Sequence, residues 1–131
     1  MKFSNLNIPV SNKEVKLNLE YTQNRKTSEK LGCRDPFILL YDNKYYFYQG
    51  AGSRGVVCSV SDDLETWSDQ VTVLPVPENF HGIKDLFWAP ECHYYKGNFY
   101  IFTSVYSNKT NHRCISVYRA DNPMGPFVDI A

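Results

Sequence analysis

Hydrophobic residues along the chain are concentrated in two aromatic-rich stretches. The first, "PFILLYDNKYYFYQG", begins at Pro36, and the second, "PECHYYKGNFYIFTS", begins at Pro90. When the second stretch is placed over the first with an offset of 54 residues, the two prolines coincide and Tyr41 coincides with Tyr95. The chain therefore contains an internal repeat.

Each copy of the repeat predicts a short series of antiparallel strands. Two apolar runs flank a turn, Asp42-Asn43-Lys44 in the first copy and Lys96-Gly97-Asn98 in the second. Asn and Gly tolerate the positive φ values that tight hairpin turns require. A third strand follows as "GVVCSVS" or "RCISVYR", and "VTVL" at residues 71–74 predicts a fourth strand in the first copy. The second copy reaches "PFVDIA", where its fourth strand is predicted to begin.

Four short strands within about 55 residues are typical of one blade of a β-propeller. We therefore predict an all-β fold with antiparallel four-stranded blades, of which about two are present. The predicted divisions are an N-terminal extension over residues 1–31, a first blade over 32–78 and an incomplete second blade over 79–131. The alternative is a self-contained β-sandwich of seven or eight strands, for which 131 residues would suffice but which would not require the repeat.

The charge balance narrows the class of partner. The 14 basic and 14 acidic residues cancel, so long-range attraction to nucleic acid or to an anionic membrane is not expected. A neutral substrate suits this balance better. No apolar run approaches the roughly 20 residues of a membrane span, and the N-terminus lacks the apolar segment of a signal peptide. We expect a cytoplasmic protein, or a secreted one whose leader was removed.

The four cysteines Cys33, Cys58, Cys92 and Cys114 are spread singly and show no CxxC spacing. Two disulfides are conceivable, but the last three cysteines occupy aliphatic positions of the repeat. Because free cysteine behaves as a small hydrophobic residue, we predict free, buried thiols.

Asp35 interrupts the repeat. It stands between Arg34 and Pro36, just before the first strand, and Ala89 fills its place in the second copy. Proline biases the preceding residue away from helix, which would hold the carboxylate at the start of a strand. An Asp before Pro is also a common turn residue. A scaffold residue should recur with the scaffold, so Asp35 is our candidate for a general base.

Two further residues near the blade mouths are candidates for ligand binding. Trp88 aligns with Arg34, and its indole would either stack on a sugar ring or belong to the core. Glu91 aligns with Phe37 inside a strand, where a carboxylate needs a partner such as Arg34 or a substrate hydroxyl.

Other chemistry has little support in the sequence. His93 aligns with Leu39 and predicts an interior histidine with satisfied hydrogen bonds, a metal or catalytic role being the alternative. The sequence shows no Gly-rich phosphate loop, nucleophile elbow or metal-ligand cluster. Phosphoryl transfer and Ser or Cys hydrolysis are therefore not expected, and no metal is predicted.

Four ordered motifs resemble the N-terminal part of glycoside hydrolase family 43, the five-bladed β-propeller arabinosidases and xylosidases. They are "RDPFILLYDNKYYFY", "VSDDLETW", "FWAPECHYYKGNFYIF" and "NPMGPF", and they extend from about Gly32 to Phe127. The resemblance implies an inverting glycosidase that acts on arabinose- or xylose-containing plant polysaccharides or oligosaccharides. It implies no cofactor, although it leaves room for a structural cation in a complete ring.

The same resemblance implies roles for particular residues. Asp35 corresponds to the family's general base and Trp88 lies near the substrate subsite, with Arg34 and Glu91 as further substrate-binding candidates. The family's general acid and its third, pKa-tuning carboxylate lie in later blades, beyond Ala131, and Glu91 is not the proton donor. We therefore expect this chain to be inactive alone.

Two expectations concern binding partners. A non-catalytic carbohydrate-binding or assembly module that keeps Trp88 is the alternative to an enzyme. Blades outside a closed ring would expose apolar faces and strand edges, so self-association is expected.

Overall fold

The computed structural model describes residues 26–27, 32–83 and 87–130, and these residues form an all-β structure. The strands within them are β1 (Lys26–Thr27), β2 (Phe37–Tyr41), β3 (Lys44–Gly50), β4 (Val56–Ser61), β5 (Thr66–Trp67), β6 (Val71–Leu74), β7 (Trp88–Tyr95), β8 (Asn98–Ser107), β9 (His112–Ala120) and β10 (Val128–Asp129). One 3₁₀ turn, Gly52–Arg54, connects β3 to β4. Across these ranges no helix has the length and apolarity needed to cross a membrane.

The first sheet is the antiparallel series β2-β3-β4-β6, as the first repeat predicts. Its hairpin turn is one residue shorter than predicted, because Lys44 already pairs with Tyr41. The two turn residues, Asp42 and Asn43, have φ values of 49° and 57°. Positive φ at both positions is the type I′ geometry that matches the twist of the flanking strands.

The second sheet repeats this arrangement as β7-β8-β9-β10. Its hairpin turn again has positive φ at both residues, 47° at Lys96 and 84° at Gly97. Its fourth strand, β10, begins where predicted and pairs with β9 through Val128 and Arg119. Each sheet is a consecutive meander, so the structure has the predicted pair of four-stranded blades and not the cross-connected sheets of a β-sandwich.

The hydrophobic core lies between the two blades. Along β8 the side chains of Phe99, Ile101 and Val105 are buried while the alternate positions are more exposed, the period of two expected for a sheet with one covered face. Opposite them, Tyr48 and Cys58 of the first blade are fully buried. The first blade therefore buries one face against the second.

Two predictions need correction or extension. All four cysteines are free, as predicted, and burial raises the pKa of the Cys92 thiol to about 12. Cys58 is buried as well, but Cys33 and Cys114 are exposed, because an alignment of repeats does not record which neighbouring element covers a position. Within the predicted extension, β1 pairs with β5 in a separate two-stranded sheet. The rest of residues 1–31 lies outside the described residues.

The segment that carries "NPMGPF" connects the second blade back to the first. The buried Tyr48 hydroxyl of β3 donates a hydrogen bond to the carbonyl oxygen of Pro123, at 2.7 Å. The backbone N–H of Phe127 donates to the carbonyl oxygen of Val73 in β6, at 2.8 Å. Burial raises the pKa of the Tyr48 phenol far above its usual value, so this group remains a neutral donor. Hydrogen bonds and apolar packing thus both join the two blades.

Substituting Tyr48→Phe should lower the free energy of unfolding by about 0.5–1.5 kcal/mol, because the Pro123 carbonyl loses its donor while the ring is kept. Urea unfolding followed by fluorescence measures the change. The matched control is Tyr106→Phe, since the Tyr106 hydroxyl donates to the Asn111 carbonyl at 3.1 Å in an exposed turn. Equal losses in the two variants would contradict the proposed contribution of the buried bond.

The turn in "VSDDLETW" is organised by the carboxylate of Asp63. Its Oδ1 accepts hydrogen bonds from the backbone N–H groups of Glu65 and Thr66, at 2.9 and 2.8 Å, and its Oδ2 accepts one from the Thr66 hydroxyl, at 2.9 Å. The bonds from Thr66 and Glu65 favour the ionised form and hold the Asp63 pKa well below its usual range. This turn leads directly into Trp67, which is buried against Phe47.

The depressed pKa of Asp63 predicts a specific loss of stability in acid. The unfolded chain protonates Asp near pH 3.9, so the stabilisation is present above about pH 4 and is lost as the pH falls through the lower folded pKa. Asp63→Asn should lower the Tm at pH 7 and weaken the dependence of Tm on pH below pH 4. Differential scanning calorimetry from pH 7 to pH 2 measures both. Glu78→Gln, in an exposed loop, is the control; an unchanged profile in Asp63→Asn would refute the assignment.

Candidate active site

A pocket of about 180 Å³ lies at the starting ends of β2 and β7, the first strand of each sheet and one of its two edge strands. Arg34, Asp35 and Trp88 line it, so the structure brings together three of the four predicted site residues. The other lining residues are Gly50, Gly52, Phe87 and Ala89. The site therefore forms where the two copies of the repeat meet.

The backbone at Asp35 is kinked and the same kink occurs in the second copy. Asp35 has a φ of 50° and its counterpart Ala89 a φ of 45°, both in the left-handed region. We expected an extended residue before Pro36, and that expectation is wrong. Non-glycine residues rarely adopt this conformation, and Asp tolerates it better than Ala. Because both blades share the kink, it belongs to the scaffold, and the first blade differs by carrying a carboxylate there.

Trp88 is exposed at the pocket and is not a core residue. The residue keeps 43% of its surface accessible. Its backbone carbonyl accepts a hydrogen bond from the Thr103 hydroxyl at 2.9 Å, which attaches this bulged part of β7 to β8. Of the two alternatives that the sequence left open, the exposed indole therefore fits the structure.

Arg113 of β9 completes the surroundings of Trp88 and was not among the predicted residues. Its guanidinium carbon lies 3.2 Å from the centroid of the Trp88 ring, whereas that of Arg34 lies 6.0 Å away. The Arg113 guanidinium also donates a hydrogen bond to the Ser104 hydroxyl, at 3.2 Å. The sequence held one signal for this residue, because a charged Arg113 takes the place of the apolar Val56 when the third strands are aligned. The alignment could not identify Trp88 as its partner, because that contact depends on strand register.

Glu91 does not line the pocket. Its carboxylate Oε2 lies 3.2 Å from Nε2 of His93, with more than half of the side chain exposed. The partner suggested by the sequence was Arg34, and the structure pairs Glu91 with His93 instead. A role for Glu91 in substrate binding stays a prediction.

His93 is not the interior histidine that the repeat predicted. Half of its side chain is exposed, and its ring lies between those of Phe37 and Phe102, with centroids 5.1 and 5.9 Å away. The first strand of a blade follows the edge of the inter-blade core, so the position aligned with Leu39 is less enclosed than the alignment suggests. Among residues 26–27, 32–83 and 87–130, no three His, Cys, Asp or Glu side chains form a group that could hold a metal ion.

The blades and the pocket define the class of protein: an all-β chain built from two propeller blades, with a carboxylate and an exposed indole at their shared mouth. The sequence matches the family described as "Glycosyl hydrolases family 43" over residues 30–131. The chain belongs to glycosyl hydrolase family 43.

Several solved structures resemble this chain. The endo-arabinase from Bacteroides thetaiotaomicron VPI-5482 is 34% identical, with a TM-score of 0.72 over 80% of this chain and 37% of that one. A thermostable family-43 glycoside hydrolase is 33% identical, with a TM-score of 0.65 over 73% and 31%. The GH43 endo-arabinanase from Bacillus licheniformis is 25% identical, with a TM-score of 0.61 over 74% and 36%.

This chain corresponds to a similar share of each of the three solved structures. The chain spans between 31% and 37% of the length of these three structures. A comparison with curated proteins found no match.

Proposed function

We propose that this chain forms the general-base side of the active site of an inverting glycoside hydrolase acting on arabinose- or xylose-containing plant polysaccharides or oligosaccharides. The pocket that joins Asp35 to an exposed Trp88, in a family 43 fold, carries this proposal. The 34% identity to an endo-arabinase supports arabinose as one of the sugars. The cytoplasmic location and the structural cation of a complete ring stay predictions.

In the proposed reaction Asp35 takes a proton from a water molecule that attacks the anomeric carbon on the face opposite the leaving sugar. The bond from that carbon to the leaving oxygen breaks, and a second carboxyl group protonates the oxygen. Inverting enzymes place the two carboxyl groups about 6.5–9.5 Å apart to leave room for the water. Asp35 is the one carboxylate among the described residues that line the pocket. We propose that the acid and the third carboxylate come from residues outside this chain.

The other predicted residues would hold the sugar. The indole of Trp88 offers an apolar surface for the C–H face of a pyranose or furanose ring, and Arg34 offers N–H donors to its hydroxyl groups. Glu91 would act further from the base, because it lies outside the pocket lining. None of these contacts requires a charged ligand, which agrees with a net charge of zero.

Binding and hydrolysis by the 131-residue chain test this proposal together. Isothermal titration with arabinotriose and xylotriose should show binding of at least one sugar, lost in Trp88→Ala. Hydrolysis of nitrophenyl arabinofuranoside or xyloside should not exceed that of Asp35→Asn, because general acid help, typically worth about 10²–10⁴ in rate, is absent.

Two results would contradict the proposal in different ways. If neither sugar binds, a carbohydrate site is excluded. If the chain turns over nitrophenyl glycosides at rates ordinary for a complete glycosidase, it supplies its own general acid. The proposal that the acid and the third carboxylate come from outside this chain would then be wrong. Binding by the parent chain, together with no hydrolysis by a polypeptide that also contains the remaining blades, would favour the non-catalytic alternative. Full activity of the Asp35→Asn form of that polypeptide would exclude Asp35 as the general base.

The outer face of the second blade supports the proposal that this chain forms part of a larger ring of blades. Tyr48 and Cys58 of the first blade, buried against the second, align in the repeat with Phe102 and Ile115. Phe102 is 40% exposed and Ile115 is 63% exposed. The second blade thus carries the face that the first blade uses for packing, with no described residue covering it to the same extent.

We propose that in the isolated chain this face causes self-association between copies. Light scattering after size exclusion should give a mass above 15.2 kDa that rises with concentration. Phe102→Asp should shift the distribution towards monomer, whereas Val71→Lys, at an exposed position on β6, should not. A stable parent monomer across the concentration range would contradict this proposal.

A further inference from the structure

Arg113 covers one face of the Trp88 indole. A guanidinium carbon 3.2 Å from the ring centroid must lie above the ring, because an approach in the ring plane at that distance would overlap the ring atoms. This is the geometry in which a cation interacts favourably with the π electrons of Trp. That face is therefore occupied by protein.

The cover by Arg113 lies outside the lining of the pocket. Trp88 is among the residues that line it, together with Arg34 and Asp35, whereas Arg113 is not. Trp88 keeps 43% of its surface accessible, so the ring remains open to a ligand where Arg113 does not cover it. The indole is thus backed by an arginine and also belongs to the pocket that contains the candidate base.

The contacts of Arg113 come from the sheet itself. Its guanidinium donates to the hydroxyl of Ser104, and Ser104 is the residue of β8 that pairs with Trp88 of β7. The neighbouring Thr103 holds the Trp88 carbonyl. The two neighbouring strands thus hold Trp88 together: β8 binds its backbone and β9 covers its ring.

We propose that Arg113 is a positioning residue: it backs the indole of Trp88 so that a single sugar unit stacks only on the uncovered part of the ring, within the pocket that holds Asp35. The arrangement excludes a glycan from stacking on the face that Arg113 covers. The identity of the ligand in this inference rests on the proposed function. The contact between Arg113 and the indole is independent of that function, because it lies within the protein.

Acrylamide quenching of tryptophan fluorescence tests the cover without any ligand. Trp67, the other tryptophan, is 2% exposed, so quenching reports Trp88. In Arg113→Met the quenching constant should rise by up to about twofold, because a second face of the ring becomes accessible. Arg113→Lys, which keeps the charge but loses the planar group, should fall between parent and Arg113→Met. Arg119→Met, at an exposed position on the same strand, should match the parent.

Titration of the same variants with arabinotriose and xylotriose tests the effect on binding. For a sugar that the parent binds, Arg113→Met should raise the Kd by about three- to tenfold, because the indole is no longer held in place and must be ordered on binding, while Arg119→Met leaves it unchanged. Far-UV circular dichroism and the urea midpoint establish that each variant is folded.

Each outcome decides a different point. Unchanged quenching in a folded Arg113→Met overturns the proposal whatever the sugars do. Increased quenching with an unchanged Kd overturns the role in sugar binding. If the parent binds neither sugar, the proposed function fails, and the quenching result alone decides whether Arg113 positions the indole.

Discussion

The packing of the two blades against each other is the constraint on which the rest of the structure depends. Tyr48 and Cys58 on one side and Ile101 and Val105 on the other are fully buried at this interface. A four-stranded sheet of this size has no core of its own, so each blade needs a neighbour to cover its apolar face. The pocket exists only because this packing places the starting ends of β2 and β7 side by side. The site is thus a property of the interface between blades and of neither blade alone.

Much of this architecture follows from the spacing of residues in the sequence. The offset between the aromatic stretches predicted two meanders, the bounds of β6 and the start of β10, because strand alternation and turn chemistry are local. The grouping of Arg34, Asp35 and Trp88 could also be predicted, since equivalent strand ends of adjacent blades meet at one edge. The repeat therefore predicts those features that depend on local strand and turn patterns.

The failures share a physical cause. The exposure of Cys114, the pairing of Glu91 with His93 and the stacking of Arg113 on Trp88 all depend on which side chain from another strand reaches a given position. Register and bulges decide this, and β7 has a register shift between Trp88 and Glu91. A bulge changes the direction of the side chains around it. Strict alternation of side chains between the two faces of the sheet therefore fails in the part of the strand that carries the candidate site.

The left-handed conformation shared by Asp35 and Ala89 has a consequence for how such a protein can arise. Duplication of a blade copies the kinked backbone together with the strands, and so reproduces the backbone setting of Asp35 whether or not the carboxylate is retained. Chemistry can then be confined to one blade by a single side-chain replacement that leaves the architecture symmetric. In this chain the two blades share the kinked backbone at this position and differ in the side chain on it, a carboxylate at Asp35 and a methyl group at Ala89.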